Sequence, residues 1–276
     1  MKDVFPYRWD ARDYAQHSSI QFQWALELIR KLELKGHEHV LDIGCGDGKV
    51  TAEIASLLHD GFVVGVDSSD SMISLAKERY PANIYPNLRF QQENACSLPF
   101  HEEFDAIFSS ASLHWILDHQ PVLQGIYQGL KFGGKTLLQM GGQGNAQDLL
   151  HVLSIVITGD EWLEHFEHFD FPFGFYGPDE YHSWLKKEGL QARRVELIPK
   201  DMAHPSQESF MGWIRTVWLP YTQRVPVEKR DEFISQVTRK YLAYFPPDEN
   251  GVTQIKLVRL EVDAFKPTIG CRLTTG

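Results

Sequence analysis

A glycine-rich turn between a buried strand and a helix constrains the fold of this 276-residue chain more than any other feature. The apolar run His39–Ile43 predicts a short buried strand, and Gly44, Gly46 and Gly48 follow it at alternate positions. Glycine tolerates a positive φ and lets a ligand approach the backbone, and the start of the next helix offers free N–H donors. The segment therefore predicts a ligand-binding turn, with an ordinary tight strand–helix turn as the alternative.

Strand and helix patterns alternate along the chain on either side of this turn. At this spacing they indicate a parallel sheet covered on both faces, with ligands bound at the carboxyl ends of the strands. We therefore predict an α/β fold, a Rossmann-like doubly wound sheet of about seven strands with a helical cap inserted among the last strands. The predicted helices cover residues 19–35, 48–59, 69–80 and 205–245, the predicted strands 39–43, 62–66, 87–91, 104–109, 135–140 and 255–265, and a helix–strand unit 178–199.

The length of the chain allows one large core, and no repeat or flexible linker divides it. We expect a single domain over residues 1–276. Its predicted parts are an N-terminal helical segment (1–37), a cofactor-binding core (38–140), a cap (141–177 and 205–245) and the remaining sheet elements (178–204 and 246–276).

Composition and charge argue against several kinds of partner. The formal charge of −10 and the lack of a dense Lys/Arg cluster disfavour nucleic acid, and no apolar stretch is long enough to span a bilayer. The cysteines Cys45, Cys96 and Cys271 form no CxxC pair. His165 and His168 have a spacing that could bind a metal, but no third ligand is evident nearby. We expect a cytoplasmic protein with no metal, no nucleic-acid partner and no membrane span, and leave its oligomeric state open.

The glycine spacing also discriminates between cofactors. A dinucleotide fingerprint requires G-x-G-x-x-G, but Lys49 stands at the third glycine position and Gly48 comes one residue early. This favours S-adenosylmethionine (SAM) over a nicotinamide cofactor, so a nicotinamide oxidoreductase remains only an alternative. Asp67 ends the second predicted strand, where its carboxylate can accept hydrogen bonds from both ribose hydroxyls. Asp67 could instead cap the next helix, a role that Ser68 or Ser69 could also take.

Two further strand ends carry candidate ligand contacts. Asn94 and Ala95 follow the third strand, where a side-chain amide and a backbone N–H could bind adenine, although Asn94 could simply form an Asx-turn. The fourth strand leads into Ser109–Trp115, which places small residues, a histidine and an aromatic where the reactive methyl group is expected. His114 could steer a substrate oxygen, or it could be a packed or capping residue.

Three segments resemble class I SAM-dependent methyltransferases over residues 38–140: DIGCGDG at 42–48, the acidic residue Asp67, and SASLHW at 110–115. More narrowly, the sequence is similar to small-molecule carboxyl methyltransferases, the group of the trans-aconitate and juvenile hormone acid methyltransferases. Leu113–Trp115, Ser19–Gln21 and the pattern near the end of the chain carry that similarity. The resemblance also implies a sheet whose final strand is antiparallel.

The resemblance implies specific roles for residues of the cofactor site. Asp42 would help hold the amino group of the methionine moiety, Gly44 and Gly46 would contact the cofactor, and Asp67 would bind the ribose. Asn94 and Ala95 would hold the adenine. The predicted cofactor contacts are Asp42, Gly44, Gly46, Asp67, Ser68, Met72, Asn94, Ala95 and Ser110.

The resemblance implies substrate contacts as well. Gln21 and Trp115 match positions of substrate contacts in the juvenile hormone enzymes, and Trp213–Arg215 resembles the WxxGT segment of the aconitate enzymes. Thr216 and Val217 stand where that segment would have Gly-Thr, a departure that argues against a tricarboxylate substrate.

Two further substrate contacts are predicted from the chemistry of their side chains. Tyr14, with Trp9, could close over the sulfonium by a cation–π contact or could pin the N-terminal helix. Arg215 could neutralise a substrate carboxylate or lie on a solvated helix face.

The function predicted from these observations is transfer of a methyl group from SAM to a small-molecule acceptor, an apolar or mixed carboxylic acid, with S-adenosylhomocysteine as the second product. The catalytic candidate is His114. A C-, N- or phenol O-methyltransferase remains an alternative, and a SAM-binding protein without catalysis is a second one.

Overall fold

The computed structural model describes residues 19–268, which form a seven-stranded mixed sheet with helices packed against it. The strand order is β3-β2-β1-β4-β5-β7-β6. The strands are β1 His39–Ile43, β2 Phe62–Asp67, β3 Leu88–Gln92, β4 Phe104–Ser110, β5 Leu130–Gly141, β6 Gln191–His204 and β7 Thr253–Phe265.

Most of the α-helices alternate with these strands as predicted, and the others form the cap. The α-helices are α1 Ser19–Lys31, α2 Lys49–Ser56, α3 Asp70–Arg79, α4 Gln120–Gly129, α5 Gln147–Ile157, α6 Pro178–Lys187, α7 Gln207–Val217, α8 Leu219–Thr222 and α9 Arg230–Tyr244. Short 3₁₀ turns cover Ala95–Ser97, Leu113–Trp115, Leu163–Phe166 and Val227–Lys229.

The pairing of the strands confirms the predicted fold class. Strands β1 to β5 are parallel to one another, whereas β7 lies antiparallel between β5 and β6. Strand β1 shows why both faces are covered: Val40 packs into one hydrophobic cluster, and Leu41 and Ile43 pack into the cluster on the opposite face. The carboxyl ends of the parallel strands therefore meet at one edge, above which a ligand can bind.

The cap has a hydrophobic core of its own. Helices α5, α7, α8 and α9 are inserted among the last strands, and their apolar faces share one cluster with the ends of β6 and β7. Trp162, Phe210, Phe233 and Tyr241 are nearly or fully inaccessible to solvent in that cluster. This packing holds the helices over the carboxyl edge of the sheet.

Strand β6 is longer than predicted, because it continues through Pro199 to His204 instead of ending at residue 199. Proline lacks an N–H donor and is tolerated only where that donor has no ladder partner. Strand β6 lies at the edge of the sheet, and Pro199 pairs with Val258 on its inner side. The paired ends of β6 and β7 therefore project beyond the carboxyl edge of β5 and form a wall beside it.

The division of residues 1–276 into segments 1–37, 38–140, 141–177, 178–204, 205–245 and 246–276 stays a prediction. Trp9 and Tyr14 lie outside the described residues, and so does Cys271. Within residues 19–268, no helix combines the length and apolarity that crossing a bilayer requires.

Candidate functional site

The glycine-rich turn after β1 has the backbone conformation that the sequence predicts. Gly44, Gly46 and Gly48 all have positive φ, of 76°, 54° and 82°. The N–H groups of Gly44 and Cys45 donate to the carbonyl oxygen of Val66 at 2.7 and 3.0 Å. A Cβ at Gly44 would lie 1.8 Å from Ser112 Oγ, whereas a Cβ at Gly46 would enter open space. Gly44 is therefore required for chain packing, and Gly46 exposes its backbone to a cleft.

Asp67 lies at the carboxyl end of β2 and faces this turn. Its Oδ2 accepts the N–H of Gly46 at 3.0 Å, and its Oδ1 accepts the N–H of Ser69 at 2.9 Å. Ser69 is the N-cap of α3, because its side chain accepts the N–H of Met72. A carboxylate has about four acceptor positions, so Asp67 retains capacity for a ligand.

Asp42 is a second carboxylate at the same strand ends. It is 2% exposed, and its Oδ2 accepts the hydroxyl of Thr51 at 2.7 Å. Burial raises the pKa of Asp42 to about 7, the Thr51 hydrogen bond opposes that shift, and the nearby Asp67 adds to it. Burial also raises the pKa of Asp67. Two desolvated carboxylates at one edge form a region that a cation would stabilise.

The predicted cofactor contacts are brought together to different extents. Ser68, Met72 and Ala95 line the large cleft with Asp67, and Ser110 lines an adjoining pocket with Asp42. Asn94 does not line either; its Oδ1 accepts the N–H of Cys96 at 2.9 Å and caps the 3₁₀ turn that follows.

Glu93 was not predicted as a contact from the sequence, but it lines the large cleft together with Asp67 and Ala95. Its position directly after β3 could have indicated this, because residues that follow parallel strands lie at the carboxyl edge of the sheet, where ligands bind.

The other end of the cleft is aromatic. The predicted substrate and catalytic residues that line the cleft are Gln21, His114, Trp115 and Trp213, and Gln21 also lines the adjoining pocket with Asp42. Gln21 is buried, and its Oε1 has no hydrogen-bond partner among the described residues. The cleft is open to solvent and spans about 1160 Å³ when that open space is counted. The aromatic residues of its wall are Trp115, Phe173, Phe175, Trp213 and Trp218.

His114 is buried in this wall and is neutral. Burial, followed by the nearby Arg259 and His119, holds the pKa of His114 well below its usual range. Its Nδ1 accepts the N–H of Gly141 at 3.4 Å. The proton of the neutral ring is therefore assigned to Nε2, which makes that nitrogen a hydrogen-bond donor and not a base.

Arg259 is the functional candidate that the sequence analysis missed. It lies on β7 opposite Gly141, it is 6% exposed, and its guanidinium carbon is 4.8 Å from the centroid of the Trp24 ring. Among the described residues, it is the only Lys or Arg that lines the large cleft. A signal was present in the sequence, because Arg259 follows the apolar Ile255 and Leu257 at alternate positions, on the same face of the strand predicted at 255–265.

Two predicted substrate contacts are not placed at the cleft by the structure. Arg215 is exposed and does not line it, in contrast to Trp213 two positions earlier. The reason is helical geometry, since two residues turn the side-chain direction by about 200°. Tyr14 lies outside the described residues, so its predicted contact stays a prediction.

The cleft is electrically polar along its length. Its acidic end lies at β2, with Asp67 and Glu93, and its basic residue, Arg259, lies on β7. Four strand steps separate β2 from β7 in the sheet, which is about 19 Å at the usual strand spacing. The arrangement therefore offers one end to a cationic group and the other to an anionic one.

A doubly wound sheet with a glycine turn, an acidic residue ending β2 and a capped cleft defines a class of proteins that bind an adenosine cofactor at the carboxyl edge. Residues 40–134 match the family described as "Methyltransferase domain". An uncharacterised methyltransferase of Schizosaccharomyces pombe is 30% identical over 198 residues, covering 70% of this chain and 74% of the relative. The chain therefore belongs to the class I SAM-dependent methyltransferase family, and its cofactor is SAM.

Two other comparisons cover nearly the whole chain. A trans-aconitate 2-methyltransferase of Agrobacterium fabrum is 25% identical, over 94% of this chain and 99% of the relative. The structure of Haemonchus contortus phosphoethanolamine N-methyltransferase 2 in complex with SAM superposes with a TM-score of 0.60 at 21% identity, over 94% of this chain and 57% of the other. At that identity, the second similarity shows the fold alone.

The residues of the site fit SAM. Open space next to Gly46 allows a ligand to contact the backbone of the turn, and Asp67 retains acceptor capacity for ribose hydroxyls. SAM carries an ammonium and a sulfonium group, and the desolvated carboxylates of Asp42 and Asp67 complement that positive charge.

The raised pKa of Asp42 predicts that SAM affinity depends on pH. A bound ammonium group favours the ionised carboxylate, so affinity should rise as pH increases towards about 7 and level off above it. Below that pKa, we expect a loss of up to about tenfold per pH unit. Calorimetric titration with SAM from about pH 5.5 to about pH 8.5 measures this. The Asp42→Asn variant should bind SAM more weakly, and its affinity should vary less with pH. If the SAM affinity of the unmodified protein did not vary with pH, Asp42 would not contact the ammonium group.

Proposed function

We propose that this methyltransferase transfers the methyl group of SAM to the carboxylate of a predominantly apolar small-molecule acid, forming a methyl ester and S-adenosylhomocysteine. The observation that carries the proposal is the buried Arg259, which lines the cleft together with the aromatic residues and lies close enough to His114 to lower its pKa. A cationic guanidinium and a neutral N–H donor together fit a single carboxylate.

The composition of the cleft wall supports one carboxylate and not several. Relatives named trans-aconitate 2-methyltransferase match the chain, but a tricarboxylate carries three charges that would each need a partner. Arg259 is the only Lys or Arg of the described residues in the large cleft, and five aromatic side chains surround the remaining space. An acid with one carboxylate and an apolar body matches this wall better.

The proposed chemistry requires alignment and not proton transfer. When bound, SAM supplies an electrophilic methyl group. A carboxylate is already ionised at neutral pH, so no general base is needed. Arg259 and His114 Nε2 would hold the acceptor carboxylate, and the stacked rings of Phe173 and Phe175, with centroids 5.1 Å apart, would exclude water from it. Alignment and desolvation then lower the barrier.

Transfer of radiolabelled methyl from SAM to a panel of acceptors tests the proposal. The panel contains fatty acids, terpenoid acids, tricarboxylates, phenols and amines, and base-labile product is scored separately. We expect base-labile label on monocarboxylic acids with apolar bodies. Base-stable label on a phenol or an amine would overturn the carboxylate assignment but keep the cofactor assignment. Binding of SAM without transfer to any acceptor would favour a cofactor-binding protein without catalysis.

Substitution of His114 separates carboxyl transfer from chemistry that needs a base. The amide nitrogen of His114→Gln can replace the Nε2 donor but cannot accept a proton at neutral pH. On an acid acceptor we expect His114→Gln to retain activity within about tenfold, and His114→Leu to lose more. Initial rates with a saturating acceptor measure both variants. If the substrate were a phenol deprotonated by His114, Gln and Leu would be equally inactive.

A further inference from the structure

The 3₁₀ turn Leu113–Trp115 presents His114 and Trp115 to the acceptor end of the cleft. A 3₁₀ turn this short has little stability of its own. Within the turn, the N–H of Trp115 bonds to the carbonyl of Ser112, and the N–H of Ile116 bonds to that of Leu113. Its position must therefore be fixed by contacts from outside the turn.

His119 supplies such a contact from behind the turn. It is 1% exposed and is absent from the residues that line the cleft. Its Nε2 lies 2.9 Å from the carbonyl oxygen of Leu113 and 2.9 Å from that of Ile116. Carbonyls only accept, so Nε2 carries the ring proton and donates to both. One imidazole therefore clamps the two carbonyls on either side of His114 and Trp115.

The other nitrogen of His119 is held by a second element. Since Nε2 is protonated in the neutral ring, Nδ1 accepts a hydrogen bond, and the hydroxyl of Tyr181 on α6 lies 2.5 Å away. Burial lowers the pKa of His119 to about 4, so the ring is neutral at physiological pH. The Tyr181 hydroxyl also lies 3.1 Å from Met140 Sδ on β5. The clamp is thus anchored to a helix and to the central sheet.

Gly174 completes the support of the turn from the cap side. Its N–H donates to the carbonyl of His114 at 2.8 Å. A Cβ at Gly174 would lie 2.4 Å from the carbonyl oxygen of Ile116 and 3.1 Å from His119 Nε2. The cap segment therefore holds the His114 carbonyl and packs closely against the Ile116 carbonyl, which His119 also holds.

We propose that His119 is a positioning residue that fixes the Leu113–Trp115 turn, and thereby aligns the methyl acceptor without contacting it. The inference rests on the proposed acceptor site, because the clamped turn carries His114 and Trp115. It assigns His119 an effect on acceptor use that is separate from cofactor binding, since the carboxylates Asp42 and Asp67 belong to other loops.

Three substitutions of His119 form the test. The amide nitrogen of His119→Gln lies near the original Nε2 and can still reach the carbonyls. The amide of His119→Asn is one carbon shorter and cannot, and His119→Phe keeps the ring but removes both nitrogens. Amide hydrogen exchange of the SAM-free protein is measured over residues 111–117, with β4 as the internal reference. SAM affinity and the acceptor kcat and KM are measured alongside.

We expect His119→Asn and His119→Phe to exchange about tenfold faster over residues 111–117 and His119→Gln to remain near the unmodified protein. Acceptor kcat/KM should fall about tenfold in Asn and Phe, with SAM affinity within about twofold. Unchanged exchange, or an equal loss of SAM affinity, would overturn the inference. If His119→Phe does not fold, the comparison of His119→Gln with His119→Asn tests the inference. Exchange requires no substrate, so faster exchange without any methyl transfer would count against the proposed function and not against the clamp.

Discussion

Replacing Arg259 by methionine is expected to lower kcat/KM for an acid acceptor by about 100-fold, with SAM affinity unchanged. Methionine retains much of the side-chain volume next to Trp24 but removes the charge. The acceptor carboxylate would then be desolvated without a cation, which costs about 3 kcal/mol when a hydrogen-bonded charge pair is broken. Steady-state kinetics with the acid identified in the acceptor screen, together with SAM titration, measures both effects.

Lys256→Met is the matched control for Arg259→Met. Lys256 is on the same strand, its side chain is 79% exposed, and its Nζ lies 4.0 Å from a carboxylate oxygen of Asp148. An exposed ion pair of this kind contributes little, so this variant should retain full activity. Equal losses in the two variants would point to a general effect of charge, and full activity of Arg259→Met would remove the arginine from the acceptor site.

Asp67→Asn is expected to weaken SAM binding by about 100-fold or more. Both carboxylate oxygens accept backbone N–H groups, of Gly46 and Ser69. An amide has only one oxygen, so its NH₂ group must face one of these donors, and the proposed contact with the ribose would lose one hydrogen-bond acceptor as well. Hydrogen bonds to charged groups contribute about 1.5–3 kcal/mol each, which sets the size of the effect. Calorimetric titration measures the affinity.

The exposed Asp70, three residues along the chain, provides the control for Asp67→Asn. Asp70→Asn makes the same chemical change in the first turn of α3 without altering the cleft. It should bind SAM as the unmodified protein does, and its thermal unfolding should report any change in the helix start. If Asp67→Asn also bound SAM within about threefold, Asp67 would not hold the ribose.

The acidic end of the cleft could be predicted because its signals are local. The strand ending at Ile43, the glycines after it and Asp67 after β2 are each read from a few consecutive residues. Parallel strands then bring their carboxyl ends to one edge without further information. Two alternatives left open by the sequence are distinguished by hydrogen bonds in the structure. Ser69, and not Asp67, caps the helix, and Asn94 caps a 3₁₀ turn.

The aromatic end of the cleft depends on contacts between distant segments, which explains why Arg259 was not predicted from the sequence. Arg259 reaches the cleft only because β7 lies antiparallel between β5 and β6 and aligns it with Gly141. The resemblance implied an antiparallel final strand, but the register of its residues requires the structure. Arg215 shows the opposite error. It was predicted to neutralise a substrate carboxylate, but it lies on the exposed face of α7, two residues from Trp213.

The insertion of β7 between β5 and β6 sets the order in which the two halves can form during synthesis on the ribosome. Every element that contributes Asp42, Asp67 and the glycine turn has emerged before β5 is complete. Strand β6 must then wait, because β7 is its only neighbour among the described strands, and β7 follows it by about fifty residues. A growing chain therefore acquires the elements of the acidic end of the cleft first, and it completes the wall beside the proposed acceptor site only when β7 closes the sheet.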